Sequence, residues 1–157
     1  MTAPDATGQT EIAASPEAVY AFLSDPARMS EIAEETVKVL RRDSTAGQTG
    51  SRFLGVNRNG RRVWPTIGKV TDADSARRFA FEVEAVPGVP VARWQYDIEP
   101  TAAGCRVVES TWDKRPRWFV PATRPITGVA DRVSVNARNI ETTLARLKAR
   151  LETGAQA

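Results

Sequence analysis

EIAASPEAVYAFLSDPARMSEI, residues 11–32, holds two helical pieces too short to stand alone. Its opening alternates like a strand, with Ile12 on the inward side. Ser15 then reads as a helix N-cap with Pro16 at the first helical position, where the amide that proline lacks would have no partner anyway. Glu17 suits the positive end of the helix dipole, and Ala18 at the third position means that no reciprocal capping box forms. Val19, Phe22 and Leu23 recur at helical spacing with Tyr20 beside them, and Pro26 ends the helix. A second short helix over residues 27–33 puts Met29 and Ile32 on one side. Helices of this length are marginal in water, so packing against something larger must hold both. The expectation is that they stopper a cavity formed by the rest of the chain.

Six strand candidates follow. TVKVLRR, SRFLGVNR and RRVWPTIGKVT are the first three. Asn59-Gly60 between the second and third is a preferred two-residue hairpin signal, because both residues tolerate positive φ. Trp64 lies in the third, where Pro65 predicts a bulge or an unpaired stretch. ARRFAFEVEA is the clearest strand, with Phe79, Phe81 and Val83 on one face and Glu82 and Glu84 on the other. VARWQYDIEP repeats the pattern, with Trp94, Tyr96 and Ile98 opposite Arg93, Gln95 and Asp97. GCRVVESTWD is less regular, and the side on which Glu109 lies stays open. Turns marked by Asp72, Asp74 and Ser75, by Pro87-Gly88 and by Ala103-Gly104 separate these strands.

After the Pro- and Arg-rich crossing KRPRWFVPATRP, the residues Ile126, Ala130, Val133, Ala137, Ile140, Leu144, Leu147 and Leu151 alternate spacings of four and three. That predicts one apolar stripe along a single helix of about 26 residues. A coiled coil would show the same stripe. Packing on the sheet is preferred, because alanines thin the stripe in its first half and six strands need a cover. Residues 1–8 and the final TGAQA are small and polar and are expected to fray. One domain over 1–157 is expected, with an ordered core of about 9–152.

Composition narrows the classes. At 41% hydrophobic and 26% charged residues, the chain is ordinary for a globular protein. No apolar run approaches the roughly 18 residues of a membrane span, and residues 1–10 resemble no secretory signal. A cytoplasmic protein without stable membrane insertion is the expectation. A single cysteine, Cys105, excludes an internal disulfide and reads as a buried small apolar residue. The chain has no histidine, hence no Ser-His or Cys-His nucleophile and no His-based metal site. A P-loop and a strand-borne GxGxxG are also missing, so no metal and no cofactor are expected. The net charge is +3, and the arginine pairs at 41–42, 61–62 and 77–78 read as solvated and partly matched by Asp43, Asp72, Asp74 and Glu82. No nucleic-acid partner is expected.

Strand, two short helices, six antiparallel strands and a long C-terminal helix form a particular order. Carried by IAASPEAVYAFLSD, GKVTDADSARRFAFEVEA, RWQYDIEPTAAGCRVVES and ETTLARLKARLE, it resembles the START-like superfamily, within it the polyketide cyclase/dehydrase and lipid-transport group. The resemblance implies an α+β helix-grip fold, a seven-stranded curved antiparallel sheet around a long C-terminal helix with two short helices after the first strand. It also implies a hydrophobic cavity between sheet and helix. Members usually carry a tryptophan in the second short helix, where this chain has Met29 and Ile32.

On that reading the cavity candidates are Phe22 and Met29 from the short helices, then Trp64, Phe79, Phe81, Trp94, Tyr96 and Glu109 from the strands. Trp118 and Phe119 from the crossing and Val129, Val133 and Asn136 from the long helix complete the set. A buried Tyr96 hydroxyl would need a partner, from protein or ligand. Asn136 lies near the stripe and is read first as a helix-surface residue, and otherwise as a group that orients a ligand carbonyl. Glu109 is read first as a solvated carboxylate, and on an inward face as a proton acceptor with a raised pKa. Asp113 and Arg132 are read first as surface charges, and otherwise as a pair at the cavity mouth. Trp118 and Phe119 either gate the cavity or staple their loop. The leading function is binding or carriage of a small hydrophobic molecule, and the alternative is a polyketide cyclase/aromatase or dehydratase acting by acid-base chemistry in the same cavity. Whether any reaction is catalysed stays open, and so does oligomeric state, with a homodimer among the options.

Overall fold

The computed structural model describes residues 2–43, 45–85 and 87–155. Its elements run β1 (Ala6–Ile12), α1 (Pro16–Leu23), a 3₁₀ helix (Pro26–Glu31), β2 (Thr36–Arg42), β3 (Arg52–Asn59), β4 (Arg62–Asp74), β5 (Arg78–Glu84), β6 (Pro90–Thr101), β7 (Gly104–Asp113), α2 (Val120–Thr127) and α3 (Arg132–Ala155). The strands make one antiparallel sheet in the order β1-β7-β6-β5-β4-β3-β2. Successive hairpins lay down β2 to β7, and β1 closes the far edge beside β7. This is the α+β, helix-grip arrangement of a curved open sheet and a long C-terminal helix.

Both short helices start as their sequences demand. The Ser15 hydroxyl accepts from the Ala18 amide at 3.1 Å, the Asp25 carboxylate accepts from the Ala27 amide, and a proline follows each cap. The second short helix, expected over 27–33, is a 3₁₀ helix over Pro26–Glu31. Val19, Phe22 and Leu23 bury the inner side of α1 in a core shared with Phe79, Tyr96, Ile98, Val107, Ile140, Leu144 and Leu147. Cys105 is fully buried among them.

Several local expectations shift. Asn59 pairs with Arg62, so the hairpin loop is Gly60-Arg61 with Gly60 at φ 62°, one residue later than Asn59-Gly60. The Asn59 amide is used elsewhere, donating to the Thr127 carbonyl at 2.8 Å. Pro65 sits in register opposite Val56, where β4 overhangs β5 and pairs with β3 alone, so its missing amide costs nothing on the β5 side. The bulge of β4 falls instead between Val70 and Asp72.

The single long helix is divided. Gly128 takes the left-handed conformation at φ 73° and caps α2, and α3 begins at Arg132. The break takes Ile126 and Ala130 off the α3 helix. Ile126, Ala130, Val133 and Ala137 face solvent, whereas Asn136, Ile140, Thr143, Leu144 and Leu147 face inward. Only the second half of the stripe packs as expected.

The ends are also more ordered than composition suggests. Ala6, Thr7 and Gly8 pair with Thr111, Ser110 and Glu109, and α3 runs to Ala155. The last two residues and the side chains of Arg41 and Arg42, one of the paired-arginine expectations, lie outside the described residues.

Gly8 sets the distance between helix and sheet. A Cβ there would lie 2.7 Å from Ile140 Cγ2, and Ile140 is fully buried. Gly8→Ala is therefore expected to destabilise the fold by about 1–3 kcal/mol in urea unfolding. In an Ile140→Ala background the same change should cost much less, which a double-mutant cycle would detect.

Candidate functional site

Helix α3 lies on β1 and, to a lesser extent, on β7, and its contacts with the far strands are sparse. The curved sheet diverges from the helix on that side and leaves a cavity of about 170 Å³. That is close to the roughly 150 Å³ of an engineered cavity that accepts benzene. Phe53, Trp64, Phe81, Val83 and Trp94 supply apolar walls, and Met29 and Ile32 of the 3₁₀ region close one side. Gly68 belongs to the wall for a steric reason. A Cβ there would fall 2.2 Å from the Phe53 ring, which lies against the bare backbone.

Sheet register brings Glu109 inside. Thr101 pairs with Gly104, and counting outward from that pair sets Tyr96 opposite Glu109. Directly opposed residues share a face, so an inward Tyr96 obliges an inward Glu109. The Glu109 side chain is 2% exposed, and its Oε1 accepts the Tyr96 hydroxyl at 2.9 Å. Its Oε2 is buried without a partner among the described residues. Burial raises the Glu109 pKa to about 8 against the lowering effect of the Tyr96 hydrogen bond. Burial first, and then the neighbouring carboxyl, push the Tyr96 phenol well above its ordinary value. At neutral pH the carboxyl is mostly protonated. Because Oε1 is occupied as an acceptor, the proton belongs on Oε2, which has no partner among the described residues.

The roof and rim are polar. Asn136 and Asn139 of α3 and Thr123 and Thr127 of α2 line the cavity, with Thr143 deeper. Asn136 is 6% exposed and makes no side-chain hydrogen bond to protein among the described residues. Asn57 is held across three strands, accepting from Thr36 Oγ1 at 2.9 Å and donating to Thr66 Oγ1 at 2.8 Å. Ion pairs guard the rim. Arg132 makes two bonds to Glu35, at 2.7 and 3.0 Å, and Arg115 grips Asp113, with Nη2 to Oδ2 at 2.6 Å. Burial raises the Asp113 pKa, but the Arg115 bonds and charge outweigh it, leaving the carboxyl below its ordinary value. The expectation of two surface charges is thus corrected. Asp113 and Arg132 both line the cavity, half-buried, because each has found an ionic partner.

Of the sequence-derived candidates, the structure brings Met29, Trp64, Phe81, Trp94, Tyr96, Glu109 and Asn136 together around the cavity. Glu109 and Asn136 correct the exposed reading given to each. Phe22 and Phe79 are packed in the solid core under α1 and do not reach the space. Val129 is buried at the α2–α3 junction, outside the cavity lining. Val133, in the first turn of α3, is 43% exposed and does not line the cavity. Trp118 is 70% exposed and stacks edge-on against the partly buried Phe119 at 5.6 Å, and neither lines the cavity. Phe53, Asn57, Thr66, Arg115, Thr123 and Asn139 were missed. Alternation through RFLGVN and across the following hairpin could have found the first three. The others depend on where the final helices turn.

A family model described as polyketide cyclase / dehydrase and lipid transport matches residues 3–152. No curated protein sequence matches the chain. Among solved structures, the Polyketide_cyc-like protein Cgl2372 from Corynebacterium glutamicum is 25% identical, with a TM-score of 0.65 over 99% of this chain and 96% of that one. The protein CV1439 from Chromobacterium violaceum superposes with a TM-score of 0.70 at 16% identity, covering 93% of this chain and 96% of the other. The di-domain ARO/CYC StfQ from the steffimycin biosynthetic pathway superposes at 0.73 and 13% identity, over 96% of this chain and 51% of that one. At these last identities the likeness shows the fold alone.

The buried carboxyl makes stability depend on pH. Between its ordinary value of 4.5 and about 8, the folded chain holds a proton that the unfolded chain has released. Stability contributed by this group is therefore full below pH 4.5 and falls as pH rises through 8, by on the order of a few kcal/mol. Urea unfolding from pH 5 to 9 should show that decline, and Glu109→Gln should flatten it.

Proposed function

The chain belongs to the polyketide cyclase / dehydrase and lipid transport family, and on that premise we propose that it binds a small, neutral, mainly apolar molecule carrying one hydrogen-bond acceptor. The observation that carries this reading is Glu109, which lines an aromatic-walled cavity and whose buried Oε2 has no partner among the described residues. A buried polar atom without a partner costs roughly 1–3 kcal/mol, which a bound carbonyl or ether oxygen would recover. Asn136 on the opposite wall offers a second, adaptable contact. A carboxylate ligand is disfavoured, since it would face an acidic residue in a low-dielectric space. The cavity volume suits a guest of about one ring, and a larger polycyclic guest requires rim side chains to move.

Binding of ring-sized ketones should be seen by quenching of Trp64 and Trp94 emission, with the matching carboxylic acids bound far more weakly. Affinity should fall as pH rises through about 8, where Glu109 loses the proton it donates. Glu109→Gln should make affinity independent of pH, and Glu109→Met should lower it about three- to tenfold. If no neutral ketone, ether or ester in a broad panel binds, the proposal is lost.

A second reading rests on the Tyr96–Glu109 hydrogen bond. The ionised Glu109 carboxylate could take a proton from carbon next to a bound carbonyl, with Tyr96 holding the base in place, as cyclisation or dehydration of a poly-ketone would need. The two readings oppose each other in pH. Catalysis by the carboxylate would rise through about 8, whereas ketone binding falls. Because the Tyr96 bond lowers the Glu109 pKa, Tyr96→Phe should move either midpoint upward.

A further inference from the structure

Helix α2 has its polarity reversed for a surface helix. Its two buried side chains are polar, Thr123 and Thr127, and both line the cavity. Its exposed side chains are Val120, Pro121, Ala122, Pro125 and Ile126, with Arg124 the one polar residue among them. Val120 is 40% and Ile126 44% exposed, and Trp118, two residues before the helix, is 70% exposed. An amphipathic helix packed on a globular core normally presents the opposite pattern.

Charge accompanies the apolar face. Lys114, Arg117 and Arg124 are exposed and make no ion pair among the described residues. No acidic residue occurs between Asp113 and Asp131. The hairpin tip carrying exposed Arg61 is tied to the same helix, through Asn59 to the Thr127 carbonyl and through Arg62 to the Pro125 carbonyl at 3.0 Å. One indole, several aliphatic side chains and three cations without an ion pair among the described residues therefore share the segment 114–126, with Arg61 on a hairpin tied to it.

We propose that residues 114–126 dock on an anionic membrane surface, with Trp118, Val120 and Ile126 entering the interface and Lys114, Arg117 and Arg124 on the headgroups. Tryptophan settles at headgroup depth, aliphatic side chains gain by burial beneath it, and each cation near an anionic leaflet adds attraction. A second copy of the chain fits less well, because a two-fold contact would set these cations against themselves. Single-stranded RNA would use the cations and the indole but would leave the valine, isoleucine and proline surface without a role. The docked helix would have lipid on one side and the cavity on the other, a separation of about one helix diameter, 10 Å.

The test is flotation of the intact chain with vesicles of phosphatidylcholine alone and with about 30% phosphatidylglycerol. Binding is expected to the anionic vesicles, weakly to the neutral ones, and to be lost at 1 M salt, where the Debye length falls to about 3 Å. Arg117→Ala with Arg124→Ala should reduce partitioning at least about tenfold, since each cation contributes roughly a fivefold factor. Trp118→Ala should reduce it severalfold, with unfolding midpoint and ketone binding unchanged, because none of these side chains lines the cavity. Failure to float with anionic vesicles would overturn the proposal. So would partitioning unaffected by both variants, or tighter binding to a single-stranded RNA than to the vesicles.

Discussion

A helix approaches a sheet only as closely as the side chains between them allow, and at Gly8 there is none. Ile140 fills that place and holds α3 against the β1 edge. A straight helix pinned at one side of a curved sheet must stand away from the other side, so closure and cavity have the same cause. Glycine serves the open side in the reverse sense. At Gly68 the missing Cβ lets the Phe53 ring lie against the strand rather than stand up into the space. Shape is thus controlled by two absences of side chain, one that brings layers together and one that hollows the wall.

Polarity inside the cavity follows from the same geometry. Charges at the rim are matched, Arg132 by Glu35 and Arg115 by Asp113, where partial exposure keeps the cost of ionisation modest. Deeper in, Glu109 has, among the described residues, only the Tyr96 hydroxyl as a side-chain hydrogen-bond partner, and there the neutral acid is the favoured form. The gradient runs from paired ions at the entrance to uncharged polar groups within, Glu109 and Asn136 among them. Such a space selects against formal charge in a guest and offers few points of orientation.

The α2 segment joins this interior to the outside. Its threonines belong to the cavity lining and its aliphatic residues to the surface, so one short helix presents two environments. Gly128 makes this possible by ending α2 in a left-handed turn, which frees it from the axis of α3. Without that break the segment would continue α3, and Ile126 would fall on a common apolar stripe with Ile140.

Sequence alone determined the order of the strands, of the two short helices after the first and of a closing helix, though not the division of that helix at Gly128, because a capping serine before proline, period-two alternation and a final period-3.6 run are local signals. It also located the aromatic walls, Phe81, Trp94 and Tyr96, since strand alternation states which residues share a face. The inward turn of Glu109 was within reach of hairpin parity, once Tyr96 was taken as buried. The exposure of Val133 and the burial of Asn136 were not, because helix periodicity gives a direction and not what the sheet and the cavity set opposite each turn. Nor could the chain by itself reveal that Glu109 holds its proton. A pKa is set by neighbours and by the exclusion of water, and those come from strands and a helix far apart in sequence, brought together only by the fold.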